Sequence, residues 1–592
     1  MKKFWIVFVI VAVLVGGGLG LLWRAATSLE SPTAAKGGIL HWQAAGSYPE
    51  GLSGDFMEQL QYGNATSLRQ LVFGLKRASK DPDIKALVLD LRGLRVSWAE
   101  LEEIYDAVTL VRESGKDVWA CIESGGNADY ALATAADHIA LTPEGNLMVL
   151  GVAAELAFLK DTLAKAGLEA DFIHVGQYKS APEQLTRTGP SDANRAMTTS
   201  LVDERYHLLI DLIAQGREED ENTVKDWIDV GLYDGESALA AGLVDTLLDV
   251  EDLLADIYPD EEIADLDDYV RAGKRGSSEH EIALIVAAGT INTGESRRDG
   301  FQGQIMGSDT VVEQLADARE DEDVEAVLFR VNSPGGSALA SDLIWREVER
   351  LRAVKPVIVS MGTYAASGGY YISCGADSIF ADQGTLTGSI GVFAGKMSWN
   401  GFYDKIDLHR EYITRGDNAL LWHDAGGFTP SQRTQFQAQL DRFYERFLAK
   451  VATGRDLTRD EAHAVAQGRV WTGKQALEVG LIDDLGGLDR ALRSVKHAIG
   501  VDPDETVLVR TYSKQLTWFE RTMLDALRSR SVGATVQRIH DPMAGLPAPL
   551  ATMAQQLSSS GLTDLMPLLD GRPLALMPWR ETQRRGSWGV TP

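Results

Sequence analysis

Ser367 and Lys179 are the two residues whose types and surroundings suggest catalysis. Ser367 lies in "MGTYAASGGYYISCGADS", where alanines and glycines on both sides predict a crowded turn. A serine hydroxyl is a poor nucleophile until a base removes its proton, and no histidine lies near Ser367 in the sequence. Lys179, in "GQYKSAPE", can be that base only as a neutral amine, so burial must lower its pKa from about 10.4 toward about 7–8. This pair predicts a Ser–Lys dyad.

Further small residues could support such a dyad. Ser389, in "TLTGSIGVF", is a candidate to orient the amine through its hydroxyl. The developing oxyanion needs N–H donors, each worth roughly 3–4 kcal/mol of barrier, and a Gly-Gly turn at a helix N-terminus supplies them without side-chain obstruction. Gly335 and Gly336, in "NSPGGS", lie at such a predicted strand-to-helix turn. Gly368 is a further candidate donor, because Ser367 is predicted to begin a helix.

The chain aligns with itself at an offset of about 240 residues. "KALVLDLRG" (Lys85–Gly93) matches "EAVLFRVNS" (Glu325–Ser333), and "DYALATAADHIAL" (Asp129–Leu141) matches "GYYISCGADSIFA" (Gly369–Ala381). An offset that stays nearly constant over such a length indicates a tandem duplication, with copies of about 210–220 residues, a usual domain size.

The two copies differ at the candidate residues in opposite directions. The second copy holds the serine and the glycine pair, whereas the first copy holds the lysine. The aligned positions are Ser367 with Asn127, Gly335 with Arg95, Gly336 with Val96, and Lys179 with Ala419. Each motif alone is an ordinary turn, but complementary loss across a duplication favours one active site built from both copies.

The elements that must position these residues alternate in type. Short β-branched runs such as "AVLFRV" and "PVIVSMG" alternate with amphipathic stretches, which predicts an α/β fold with a buried sheet in each copy. The predicted organisation is a membrane anchor at 1–24, a lysine-bearing repeat at 38–255, a linker at 256–280, a serine-bearing repeat at 281–500, and a Pro-rich, partly disordered extension at 501–592.

The N-terminus predicts a membrane anchor. Phe4–Trp23 is an uncharged run preceded by Lys2 and Lys3, and about 20 apolar residues match a bilayer, whereas a secretory signal core has about 7–15. Arg24 disfavours cleavage after Ala26, so we expect an uncleaved signal anchor. The lysines predict an inside N-terminus, with the rest of the chain outside the cytoplasm.

Composition excludes several other functions. The net charge of −28 argues against nucleic acid as a partner. Cys121 and Cys374 are predicted to be small buried side chains. None of the ten histidines falls in a serine or metal-ligand motif, and His174 is expected to be solvated or packed rather than a base. We therefore predict no cofactor and no metal.

The motifs "NSPGGS", "YAASGGYYIS", "LTGSIGV" and "VGQYKSA", in a duplicated chain behind an anchor, resemble the long form of the signal peptide peptidase A family. The resemblance covers roughly residues 40–500. It implies two tandem Clp-protease/crotonase-like α/β domains in a homotetrameric serine endopeptidase of the bacterial inner membrane, with a periplasmic catalytic part. Ser367 would be the nucleophile, Lys179 the base and Ser389 its support. The implied substrates are cleaved signal peptides and other short or unfolded chains.

Two other classes of protein remain as alternatives. A crotonase-like acyl-CoA enzyme would share the fold and the backbone oxyanion hole, but such enzymes usually rely on carboxylates and are soluble. A non-catalytic membrane scaffold would require decay of the dyad, against which the intact Ser367, Lys179 and Ser389 argue. The small residues around Ser367 also predict a groove that binds extended apolar peptides through strand-edge pairing.

Overall fold

The computed structural model describes residues 38–51, 65–273, 278–299, 303–424, 426–513 and the backbone of 574–576. The described chain is a mixed α/β protein in which three sheets carry most of the core. The predicted anchor at Phe4–Trp23 lies outside these residues. Among the described helices, none combines the length and apolarity needed to cross a membrane.

The first copy forms its own sheet with helices on both sides. Its strands are β1 (Ile39–Gly46), β2 (Ala86–Leu94), β3 (Asp117–Gly125), β4 (His138–Met148), β5 (Glu169–Val175), β6 (Leu232–Asp234), β7 (Thr246–Leu247) and β8 (Ile263–Asp265). Its helices are α1 (Leu68–Lys80), α2 (Trp98–Glu113), α3 (Asn127–Ala133), α4 (Lys160–Ala166), α5 (Glu183–Thr186), α6 (Asp192–Arg217), α7 (Glu221–Val230), α8 (Gly235–Ala240), α9 (Val250–Ile257) and α10 (Leu266–Ala272).

The second copy repeats this layout and adds short strands. Its strands are β9 (Glu281–Ala288), β10 (Thr290–Asn292), β11 (Arg297–Asp299), β12 (Gly303–Gly307), β13 (Val324–Ser333), β14 (Gly335–Ser337), β15 (Val357–Ala366), β16 (Ser378–Ala381), β17 (Leu386–Gly388), β18 (Val392–Ser398), β19 (Val470–Thr472), β20 (Asp484–Leu485), β21 (Leu508–Tyr512) and β22 (Leu574–Leu576). Its helices are α11 (Ser308–Glu320), α12 (Ala338–Arg352), α13 (Gly368–Ser373), α14 (Asn400–Lys405), α15 (Pro430–Gly454), α16 (Arg459–Val465), α17 (Gly473–Glu478) and α18 (Leu488–Ala498).

The main sheets of the two copies have equivalent strand orders. The first runs β6-β4-β3-β2-β1-β8 and the second β19-β17-β15-β13-β9-β21. Their central strands are parallel and buried, which explains why those segments are continuous apolar runs rather than alternating ones. Cys121 and Cys374 are buried and unpaired, as predicted.

The third sheet joins the copies. Its order is β11-β12-β10-β14-β22-β18-β5, so β5 of the first copy completes a sheet of the second. β5 pairs antiparallel with β18 from Glu169 opposite Ser398 to Val175 opposite Val392. This pairing carries the segment after β5, which contains Lys179, into the second copy.

Two segments lie differently from the predicted boundaries. Residues 256–280, predicted as a linker, contain β8, which pairs with β1, and α10, whose Leu266 and Tyr269 are buried. Their acidic composition partly serves to cap α10, since the Asp265 carboxylate accepts from the amide of Asp268. β21, in the predicted extension, pairs parallel with β9 and so extends the second main sheet.

A buried ion-pair cluster fixes one copy against the other. The Arg330 guanidinium donates to both oxygens of Glu50, at 2.9 and 2.8 Å, and lies 2.6 Å from a carboxylate oxygen of Glu103. Arg330 belongs to the second copy and both carboxylates to the first. Removing one partner would leave an uncompensated buried charge, so the cluster holds the two copies in a defined relative position.

Candidate active site

Ser367 lies at a sharp turn between β15 and α13. Its φ of 56° and ψ of −108° are strained for a residue with a side chain. The turn is held because the Ser367 amide donates to the carbonyl of Gly388 (2.7 Å) and the Ser367 carbonyl accepts from the amide of Tyr371 (2.8 Å). The first bond uses the Ser367 amide, which is therefore not available to an oxyanion.

The small residues around Ser367 are explained by close backbone contacts. A Cβ on Gly368 would lie 3.1 Å from both the Cα of Gly335 and the N of Gly336. A Cβ on Gly369 would lie 2.6 Å from the carbonyl oxygen of Ser333. The turn that presents the serine is thus packed directly against the glycine strand β14.

Lys179 is held by a loop of the second copy. It follows β5, and the amide of Tyr178 donates to the carbonyl of Gln467 (2.8 Å). Gly468 has a φ of +79°, and a Cβ there would lie 2.6 Å from the Cβ of Lys179. The first copy therefore supplies the lysine, and the second copy supplies the surface against which its backbone rests.

Lys179, Ser367 and Ser389 form one hydrogen-bonded cluster without contact with solvent. The Lys179 Nζ lies 2.7 Å from Ser367 Oγ, 2.8 Å from the carbonyl oxygen of Ser389 and 3.0 Å from Ser389 Oγ. All three side chains are completely buried. The three residues predicted to form the dyad and its support are therefore brought together.

Burial decides the charge state of the lysine. It lowers the pKa of Lys179 well below the usual value, and among the described residues no neighbouring charge contributes to the shift. A neutral amine has two N–H groups and one lone pair. The two N–H groups can donate to the carbonyl and hydroxyl oxygens of Ser389, which leaves the lone pair directed at the hydroxyl proton of Ser367.

The glycine turn borders the same cluster. Gly336 has a φ of +156°, and a Cβ there would lie 2.1 Å from the carbonyl oxygen of Ile291, so only glycine fits. The Gly335 amide donates to Ser333 Oγ at 3.1 Å. Gly335 and Gly336 thus lie in β14, and Gly368 packs against them at the start of α13, where its amide has no partner within the helix.

Sequence reasoning missed several residues that position the site. Gly388 accepts from the Ser367 amide, Gln467 and Gly468 hold the lysine segment, and Ser333 binds the Gly335 amide and donates to the carbonyl of Gly289 (2.7 Å). The motifs "TGS" and "NSP" contain two of them, whereas Gln467 and Gly468 lie in no recognised motif. His174 faces Phe393 across β5 and β18, and its ring contacts the carbonyl of Gly176 rather than the dyad. In the described chain no His, Cys, Asp or Glu side chains cluster as metal ligands would.

Comparison with known proteins places these residues in a family context. A family model described as "Peptidase family S49" matches residues 111–263 and 349–502, one segment in each copy. The chain is 32% identical over 484 residues to "Serine protease SPPA, chloroplastic" of Arabidopsis thaliana, covering 79% of this chain and 71% of that protein. It is 31% identical over 517 residues to "Protease 4" of Haemophilus influenzae, covering 82% of each. Among solved structures, a ClpP1 mutant from Listeria monocytogenes matches 35% of this chain and 94% of its own, with 14% identity and a TM-score of 0.24.

Proposed function

The chain belongs to peptidase family S49 and is a serine-type peptidase, and from this premise we propose that it is a membrane-anchored endopeptidase with a Ser367–Lys179 dyad. The observation that carries the proposal is the 2.7 Å contact between a buried lysine amine and the hydroxyl of a serine on a strained turn. The peptidase family implies peptide substrates. We assign to this chain the short or unfolded apolar ones, including cleaved signal peptides.

The reaction follows from the contacts of the site. Ser367 Oγ attacks the scissile carbonyl while its proton moves to the neutral Lys179 Nζ. The oxyanion forms beside the amides of Gly368 and the β14 turn, where preorganised donors stabilise it. The ammonium then gives its proton to the leaving amine, and the restored amine activates the water that hydrolyses the acyl-enzyme. Ser389 keeps the amine directed at Ser367 through both protonation changes.

The two alternative functions are disfavoured by the same site. An acyl-CoA hydratase or isomerase needs a carboxylate at the reacting carbon, whereas burial is the one cause that, among the described residues, lowers the pKa of Lys179. A scaffold would have no need for a strained serine or a completely buried lysine, since both cost folding free energy. The Clp-protease/crotonase-like type of both domains remains part of the proposal.

A covalent label tests the dyad. A fluorophosphonate probe should modify the active chain at Ser367, with the site read by fragmentation of the tryptic peptide, which also contains Ser360, and the Lys179→Ala chain should react far more slowly. Ser360, which is buried on the same strand β15 and bonded to Arg330, is the matched control residue and should stay unmodified. Modification of any serine at comparable rate in the Lys179→Ala chain would contradict the proposal.

We assign the uncharged run Phe4–Trp23 as the anchor, with the catalytic part outside the cytoplasm. This rests on the sequence alone, since those residues lie outside the described chain. Alkaline phosphatase fused after residue 30 should be active, because that reporter needs an extracytoplasmic location. Activity of a cytoplasmic-type reporter at the same position would contradict the assignment.

The proposed homotetramer is supported by two segments that the duplication leaves unpaired within the described chain. Within one chain, β5 of the first copy pairs with β18 of the second. The equivalents are residues 409–415 in the second copy and 152–158 in the first, and neither stretch forms a strand within the described chain. Ile413 is 86% exposed. Repeating the β5–β18 pairing between neighbouring chains would join them head to tail, and such heterologous contacts form a closed ring when the rotation between neighbours returns to the first chain.

Sedimentation tests this assembly. Ile413→Asp should reduce the particle mass toward the monomer, whereas Val354→Asp, at an apolar residue 63% exposed on another surface, should not. An unchanged mass for Ile413→Asp would contradict head-to-tail strand pairing.

A further inference from the structure

Strand β22 comes from the C-terminal extension and lies inside the third sheet. It pairs antiparallel with β14, with Leu576 opposite Gly335, Ala575 opposite Gly336 and Leu574 opposite Ser337. On its other side Leu574 lies opposite Phe393 of β18, again antiparallel. β14 and β18 are therefore separated by the width of one strand, and residues 574–576 of the same chain fill that gap.

Both edges of this gap belong to the active site. β14 is the glycine turn against which Gly368 packs, with a Cβ of Gly368 only 3.1 Å from Gly335 Cα. β18 begins three residues after Ser389, the residue that holds the Lys179 amine. An extended peptide that pairs with both edges passes the nucleophile, so β22 occupies the place where a substrate backbone has to pair.

The sequence of this segment suits an occupant that fits the groove but cannot extend along it. Leu574, Ala575 and Leu576 are apolar and match the apolar peptides assigned to the site. Pro573 and Pro578 bracket them. Proline has no amide hydrogen for ladder pairing and is confined to strand ends and edges, so the pairing segment is limited to the few residues between the two prolines.

We propose that residues 574–576 are a built-in competitor that occupies the peptide groove of its own chain and must leave before a substrate binds. This rests on the proposed function for the identity of the groove. Because the segment is tethered, it competes at an effective concentration on the order of millimolar, whereas three residues of backbone pairing bind weakly. The segment therefore lowers the apparent affinity for short peptides several-fold, while substrates that pair over a longer stretch displace it.

Binding measured without turnover tests the competitor directly. In a full-length Ser367→Ala background, a fluorescein-labelled peptide of residues 570–580 is titrated and followed by anisotropy. Adding Ala575→Pro, which removes the central amide of β22, should lower the peptide Kd about 3- to 10-fold. Ala554→Pro, in the same extension but outside the strand, is the matched control and should leave Kd unchanged. Equal Kd values for all three chains would overturn the proposal.

Kinetics on the Ser367-containing chains separate this proposal from the proposed function. Ala575→Pro should lower KM for a short fluorogenic peptide by a similar factor and leave kcat unchanged. If the parent chain hydrolyses nothing but the anisotropy shift occurs, the peptidase assignment fails and the competitor stands. If the active chain removes its own tail between residues 574 and 577, as seen by intact mass and absent with Ser367→Ala, the segment is a substrate and the competitor proposal is overturned.

Discussion

The first copy places Asn127 where the second places Ser367, and the two side chains do different work on equivalent turns. The Asn127 side chain donates to the carbonyl of Gly151 (2.7 Å) and accepts from the backbone amide of Leu150 (2.8 Å), so it stabilises the segment that contains these two residues. The Ser367 hydroxyl instead meets the amine of Lys179. The same backbone position serves structure in one copy and the candidate chemistry in the other.

The two turns also differ in whether a side chain accepts hydrogen bonds from the neighbouring backbone amides. In the first copy the Asp129 carboxylate accepts from the amides of Leu94 (2.8 Å) and Gly126 (3.0 Å). Gly369 stands at the equivalent position of the second copy and has no side chain to occupy that space. In the first copy a side chain therefore satisfies backbone amides at the turn, whereas the second copy has no side chain at that position. The comparison teaches that a turn can keep its fold without a candidate site when the protein itself supplies the acceptors for its amides.

At the position of Lys179 it is the first copy that holds the candidate residue and the second copy that lacks it. Lys179 is buried behind β5, whereas its equivalent Ala419 is exposed in a stretch that forms no strand. Each copy therefore holds one half of the candidate site, and the ion pairs of Arg330 with Glu50 and Glu103 hold the copies together.

Outside the Ser367–Lys179 pair, the largest effect is expected from the glycine turn that only the second copy has. Gly336→Ala places a Cβ 2.1 Å from the carbonyl oxygen of Ile291, so β14 must move away from β10 and its contact with Gly368 changes. We expect kcat for a fluorogenic peptide to fall at least about 10²-fold, the scale of one lost oxyanion donor. Val96→Ala, at the equivalent position of the first copy, should stay within a few-fold of the parent. Equal losses in both variants would mean that the turn acts through stability alone.

Ser389→Ala should have an intermediate effect. Without the hydroxyl one N–H of the Lys179 amine loses its acceptor, and the lone pair is no longer fixed on Ser367. We expect kcat to drop about 10- to 100-fold with KM nearly unchanged. Ser398→Ala, a buried serine on the adjoining strand β18, is the control. A parental kcat for Ser389→Ala would remove Ser389 from the site.

Stability should depend on pH through the contact between the copies. Glu102 of α2 accepts from the amides of Gly384 (2.6 Å) and Gln383 (3.2 Å), and burial raises the pKa of its carboxyl. The folded chain thus keeps a proton that the unfolded chain has released above about 4.5. Its contribution to stability is full below that pH and is lost as pH rises toward the raised pKa.

The measurement is the thermal midpoint of the parent and of Glu102→Gln between pH 5 and pH 8.5. The fall of Tm with pH should be shallower in Glu102→Gln by the share of one proton. Glu113→Gln, at an exposed glutamate on the same helix, should follow the parent. Identical slopes for the parent and Glu102→Gln would show that Glu102 does not titrate in this range.

The smallest effect is expected from restoring the missing serine. Asn127→Ser gives the first copy a hydroxyl but no lysine beside it, and the Asp129 carboxylate still occupies the nearby amides. Peptidase activity should stay within a few-fold of the parent, and a fluorophosphonate should still label Ser367 alone. Labelling of residue 127 would mean that the first copy needs only a nucleophile.

The proximity of Ser367 and Lys179 could be predicted because each copy lacks the candidate residue that the other copy holds. The strand pairing that unites them could not, since β5 and β18 are far apart in sequence and nothing local specifies a partner. Arg330, Glu50 and Glu103 look like surface residues in the sequence, because charged side chains are rarely buried unless they are paired. The location of β22 could not be predicted either, because three apolar residues between prolines do not specify the strands with which they pair.

Peptide hydrolysis by Ser367→Ala, Lys179→Ala and the double variant tests most directly whether one active site is shared between the copies. Each single variant should lose the activity almost completely, and the double variant should be no worse, because residues that act as one unit are not additive. In the parent, the rate should rise with pH through an apparent pKa well below that of free lysine, and His174→Gln should match it within a few-fold. A folded Lys179→Ala chain that cleaves peptide at the parental rate would contradict the account.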